Sequence, residues 1–178
     1  MRKIAVSVAL IATLIYLTSS THVPSHEVKA QPVVSNPVDA VKQQTAYVER
    51  MDKHDGQWTL AIDPIDWYEG DAATKIFRER EPDPEVTEPP DGYYIVNDDR
   101  TQQTITLADD ATVLMQIYDH GNTADEGATI VPNEPITIEK YAELVGSNNE
   151  DGINIKDFPY HLTIENGKVV KIVQQYVP

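Results

Sequence analysis

The sequence predicts a mainly β fold, a small antiparallel barrel or sheet of about seven strands with two short helices, behind an N-terminal signal peptide. An α+β sheet with its helices at one end is the alternative. Three observations lead there. Asp55-Gly56 and Asn166-Gly167 each sit between strand-like runs and supply the positive φ of a two-residue hairpin turn. Strand-like runs recur along the chain, whereas helical spacing holds over only two short stretches. The chain opens with two cations and then an uncharged apolar run, Ile4 to Leu17.

That run has 14 residues, short of the roughly 20 that span a bilayer. Arg2 and Lys3 precede it, and Ser19, Ser20, Thr21 and Pro24 follow. Cation, apolar core and polar tail in this order form a secretory signal. Val28-Lys29-Ala30 offers compact residues for cleavage before Gln31. The expected product is secreted, extracellular or cell-wall associated, with no stable membrane span once the signal is cleaved. Residues 1–30 are then signal, 31–44 a flexible leader with Pro32 and Pro37, and 45–178 a single β-rich domain.

Removing 30 of the 178 residues leaves 148, a chain that buries about two thirds of its unfolded surface. Such a core needs no disulfides, consistent with the absence of cysteine. The whole chain carries 14 basic against 29 acidic residues. Past Ala30 the balance is 11 against 28. A surface this acidic repels phosphate backbones, so nucleic acid is not an expected partner.

The elements follow in order. Thr45 to Lys53 reads as a strand, and Gln57 to Asp63 alternates, with Trp58, Leu60 and Ile62 on one side. Asp63 to Gly70 reads as a loop. Asp71 is placed as N-cap of a helix over Ala72 to Arg80. Glu81 to Asp91, with four prolines and five carboxylates, reads as surface loop. Gly92 to Asn97 is apolar on both faces and so reads as a central strand. Gln102 to Leu107 and Thr112 to Tyr118 read as two strands, and Asp119 to Pro135 as a long loop. Thr137 caps a second helix, Ile138 to Val145, ended by Gly146, with Ile136 and Tyr141 spaced as a hydrophobic staple. After a polar loop, Ser147 to Phe158, Tyr160 to Glu165 and Lys168 to Tyr176 form the last hairpin.

The ending Tyr160 to Pro178, with Glu69-Gly70-Asp71-Ala72-Ala73 and Asp91-Gly92-Tyr93-Tyr94-Ile95-Val96-Asn97, resembles a group of uncharacterised secreted proteins of Gram-positive bacteria. Members join a signal peptide to a domain that ends in a hairpin and Gln-Tyr-hydrophobic-Pro. The resemblance implies export and a β-rich fold over most of the chain past Thr45, and it implies no activity.

Two clusters carry candidate chemistry. Asp63, Asp66, Glu69 and Asp71 place four carboxylates in nine residues, oxygen ligands of the kind Ca²⁺ takes in numbers of six to eight. Trp67 with Tyr68, and Tyr93 with Tyr94, offer aromatic faces with polar tips, suited to stacking on sugars. Ser147 to Phe158 lacks the Asp and Glu that open and close an EF-hand loop, so it reads as a polar turn. No nucleophile elbow, zinc-protease or phosphate-loop pattern is present. The expectation is an exported, non-catalytic binding or interaction module whose partner is a cell-wall polymer or another secreted protein. No organic cofactor is expected. A calcium-binding extracellular domain is the alternative, followed by a carboxylate-dependent hydrolase.

Overall fold

The computed structural model describes residues 41–81, 83, 85–120, 129–147 and 152–178. The expected signal, its cleavage point and most of the leader lie outside the described residues. Among the described residues the first element is β1 (Lys42–His54), which starts three residues before the strand expected from Thr45. There follow β2 (Gln57–Glu69), α1 (Gly70–Arg80), β3 (Tyr93–Val96), β4 (Gln103–Tyr118), β5 (Thr129–Ile136), α2 (Ile138–Gly146), a 3₁₀ turn at Ile155–Asp157, β6 (Tyr160–Glu165) and β7 (Lys168–Gln174).

The fold is mainly β, as the sequence predicts. Five strands close a barrel in the order β1, β2, β4, β7, β6 and back to β1. The β4–β7 pair is parallel and the other pairs are antiparallel. This is the ring order of an OB-type Greek-key barrel. β3 extends β2 and β5 extends β4, each outside the ring.

Closure leaves one face of each barrel strand turned inward. Ala46, Leu60, Leu107, Met115, Leu162 and Ile172 fill that interior with no exposed surface. α2 packs against β1 and β4 with Tyr141, Leu144 and Val145 in the same core. Thr137 Oγ1 accepts from Lys140 N at 3.1 Å, the cap expected from sequence. Both hairpins turn on the predicted dipeptides, with φ of 50° and 83° at Asp55 and Gly56, and 51° and 74° at Asn166 and Gly167.

The bend of β4 is held by two glutamines. Its register slips between Met115 and Ile117, which leaves backbone groups at Gln116 out of the ladder. From β7, buried Gln174 places Oε1 at 2.8 Å from Gln116 N and 2.9 Å from Ile117 N. On the other side Gln116 accepts from Asn133 N at 3.1 Å and donates to Asn133 Oδ1 at 3.2 Å.

Four expectations are corrected. Asp63 to Glu69 is not loop but the second half of β2. Pro64 is tolerated because β2 loses one neighbour there: β4 pairs with it through Ile62, and β3 pairs from Asp66. Gly92 to Asn97 holds an edge strand rather than a central one. Its apolar residues are covered by α1 on one face and by Trp67 on the other. The strands over 102–107 and 112–118 are one, β4, in which Ala108 to Ala111 bulge out of register with β7. The loop over 119–135 contains edge strand β5, whose Pro132 and Pro135 fit an edge.

Candidate functional site

Side chains alternate along a strand, and this regroups the candidate residues. Ala46, Val48, Leu60 and Ile62 face the core. Asp63, Ile65, Trp67 and Glu69 are therefore on the outer face of β2, while Pro64, Asp66 and Tyr68 are on the opposite one. Trp67 and Tyr68 do not act together, and neither do Tyr93 and Tyr94. Trp67 stacks on Tyr93, with centroids 4.6 Å apart and planes 12° apart. Tyr94 meets Phe77 of α1 edge to face at 5.6 Å, and its Oη donates to Glu81 at 2.8 Å. Tyr68 is paired with Tyr94 across the strands, on the side that α1 covers.

The outer face continues across β1 to β6. Thr45 pairs with Ile65 on one side and His161 on the other. The His161 ring stands edge-on to Trp67, centroids 5.7 Å apart. Its Nε2 lies 3.1 Å from Gln175 Oε1 and its Nδ1 3.0 Å from Thr45 Oγ1. Gln175 Nε2 donates to the Tyr176 carbonyl at 2.9 Å, which fixes the amide and leaves Oε1 as an acceptor. His161 Nε2 therefore carries the hydrogen, and in the neutral ring Nδ1 accepts from the Thr45 hydroxyl.

Trp67 Nε1 donates to Glu69 Oε1 at 2.9 Å. Tyr47 joins the same face, its hydroxyl pushed up by partial burial and then by Tyr93, Asp63 and Asp157. The result is a half-buried aromatic strip, Tyr93, Trp67 and His161, bordered by hydroxyl, amide and carboxylate groups. None of the three belongs to the barrel core.

The four candidate metal ligands do not converge. Asp63 is buried and accepts from Asn97 Nδ2 at 2.8 Å. Asp66 is exposed on the opposite face of β2, and Glu69 is engaged by Trp67. Asp71 is not the N-cap: α1 begins at Gly70, two residues before the expected Ala72, Glu69 occupies the cap position without a side-chain cap bond, and Asp71 lies in the first turn. There its charge favours the helix dipole. Among the described residues no three His, Cys, Asp or Glu side chains stand close enough to share a metal ion.

One polar cluster was not legible in the sequence. Glu134 accepts from Tyr118 Oη at 2.8 Å and lies 3.0 Å from His120 Nε2, and the Tyr118 and His120 rings stack at 4.0 Å. Partial burial raises the Glu134 carboxyl, but the bonds from His120 and Tyr118 outweigh it and hold the group below its ordinary value. Burial, then the bond to Glu134, push Tyr118 up to about 12. The signal was missed because Glu134 lies between two prolines on a segment read as loop.

Comparison with known protein families, with characterised proteins and with solved structures finds no match to this chain.

Proposed function

We propose that the protein is an exported, non-catalytic binding module that holds a sugar unit of a cell-wall polymer against the outer face of β1, β2, β3 and β6. The observation that carries this reading is the strip of Tyr93, Trp67 and His161. Large aromatic side chains stay half-open to water there, although the barrel interior has its own complete apolar filling. Flat, rigid rings pack on the C–H face of a sugar, and adjacent polar groups bond its hydroxyls. Thr45, Gln175 and Glu69 supply such groups beside the rings. Export is supported by the apolar run at Ile4 to Leu17.

The test is cosedimentation with purified cell-wall fragments, competed by soluble glycan strands. The wild type is expected in the pellet, and Trp67→Ala and Tyr93→Ala in the supernatant. Equal retention of Trp67→Ala would overturn the site. Release of reducing sugar by the purified protein would overturn the non-catalytic reading.

A further inference from the structure

His161 closes the aromatic strip, and both of its ring nitrogens are taken by neutral groups. Nε2–H donates to Gln175 Oε1 at 3.1 Å, and Nδ1 accepts from the Thr45 hydroxyl at 3.0 Å. The ring is half-buried, so water still reaches it.

The neighbouring elements add few charges. β1 presents Thr45 and, next on the same face, Tyr47, with Asp63 and Asp157 around the Tyr47 hydroxyl. β2 presents Trp67, whose N–H is bonded to Glu69. β3 presents Tyr93, stacked on Trp67, with Asp91 near its hydroxyl. β7 places Val173 opposite His161 and Lys171 opposite Thr163, the next residue along that face. None of these charged groups bonds a nitrogen of the His161 ring.

A proton that reaches Nδ1 therefore meets a hydroxyl rather than a carboxylate. The charged ring is a donor at both nitrogens. Nδ1–H then donates to Thr45 Oγ1, and the hydroxyl hydrogen, displaced from the ring, turns to the open side. No heavy atom has to move. The reversal changes what a ligand meets. In the neutral state the hydrogens of the Trp67 indole, of His161 Nε2 and of the Thr45 hydroxyl are all bonded within the protein, and Thr45 offers lone pairs alone. In the charged state the face gains one hydroxyl donor and one positive charge. Both favour a ligand atom that can only accept, such as the acetamido carbonyl of an N-acetylated sugar.

We propose, resting on the sugar-binding reading of the same face, that His161 is a proton-operated switch. The strip holds an N-acetylated sugar more tightly when the ring is charged, because Thr45 then donates to the ligand instead of to the ring.

The full chain is titrated with soluble N-acetylated wall glycan at about pH 5 and about pH 8, the limits between which histidine changes charge, with the Trp67 indole signal as the readout. Binding by the wild type is expected to be about fivefold tighter at the lower pH, the worth of one added hydrogen bond. By linkage, binding between these limits takes up protons, which calorimetry in two buffers of different ionisation enthalpy measures. His161→Gln keeps an amide between Thr45 and Gln175 but cannot charge, and it is expected to lose the pH dependence whatever affinity it retains. Thr45→Val should flatten most of the dependence, and Thr45→Ser should keep it. Equal affinity at the two pH values, tighter binding at the higher one, or the wild-type ratio in His161→Gln or Thr45→Val would each overturn the switch and leave the sugar site standing. A Trp67 signal that moves at neither pH would overturn the sugar site and the switch with it.

Discussion

The two halves of β2 have the same backbone form and opposite roles. From Gln57 to Asp63 the strand is barrel wall, between β1 and β4, and its inward residues Leu60 and Ile62 are almost fully buried. From Asp66 to Glu69 it forms a two-stranded ribbon with β3, outside the ring. There the inner face is closed by α1 through Phe77, and the outer face carries Trp67 on Tyr93. The first half has one apolar face because the barrel offers one interior. The second half has aromatics on both faces because two different surfaces meet it. Stability is therefore concentrated in the wall, and the candidate ligand contacts in the ribbon.

This division can be broken experimentally. The largest effect is expected inside the barrel. Leu162→Ala removes a fully buried side chain between β1 and β7 and should cost about 3–4 kcal/mol in urea unfolding. Gln174→Ala strips two backbone N–H groups of β4 of their acceptor and should cost about 2–4 kcal/mol, comparable to a core deletion although the residue is polar. Phe77→Ala loosens α1 from the ribbon. It should cost about 2 kcal/mol, with hydrogen exchange rising in α1 and β3 rather than in the barrel. Trp67→Ala should cost about 1 kcal/mol, from a half-buried ring and one stacked pair, while removing retention on wall fragments. A Trp67→Ala protein as unstable as Leu162→Ala would erase the distinction between wall and ribbon.

The smallest effect concerns the cluster on β4 and β5. Tyr118 holds its proton more tightly folded than unfolded, about 12 against 10.0. Its contribution is complete below about pH 10 and is lost as pH rises towards about 12. Glu134 is shifted the other way, so its contribution is present above the ordinary carboxylate range and fades as pH falls through its lowered value. Unfolding of the wild type and Tyr118→Phe should differ by a constant amount at neutral pH and converge above pH 10. Parallel curves through that range would show that the Tyr118 bond to Glu134 does not persist in solution.

What the sequence made legible was local. Asp55-Gly56, Asn166-Gly167 and Thr137 each act through neighbours within a few residues, and each does what its chemistry dictates. What it hid was pairing. The run from Asp63 to Gly70, with Pro64 in it, reads as loop because nothing in the chain says that β2 has no second neighbour at that point. Pro132 and Pro135 hid β5 for the same reason, and with it the approach of Glu134 to Tyr118 and His120. The acidic stretch is compact in sequence, a loop from Asp63 to Gly70 followed by Asp71 as a helix cap. A two-residue period sends Asp63 and Asp66 to opposite sides and separates Trp67 from Tyr68. The partners of Trp67, Tyr93 and His161, come from 26 and 94 residues further along the chain, and only the sheet brings them together.

The chain has two tryptophans, one in each half of β2, and their indole N–H signals report the two regions separately. Trp58 packs against the barrel core with Lys53 over its ring at 4.8 Å, and Trp67 lies on the outer strip with its N–H on Glu69. On titration with soluble cell-wall glycan, the Trp67 indole signal should move saturably while the Trp58 signal stays in place. A Trp67 signal that does not move, or two signals that drift together, would contradict the placement of the ligand on the outer face of the ribbon.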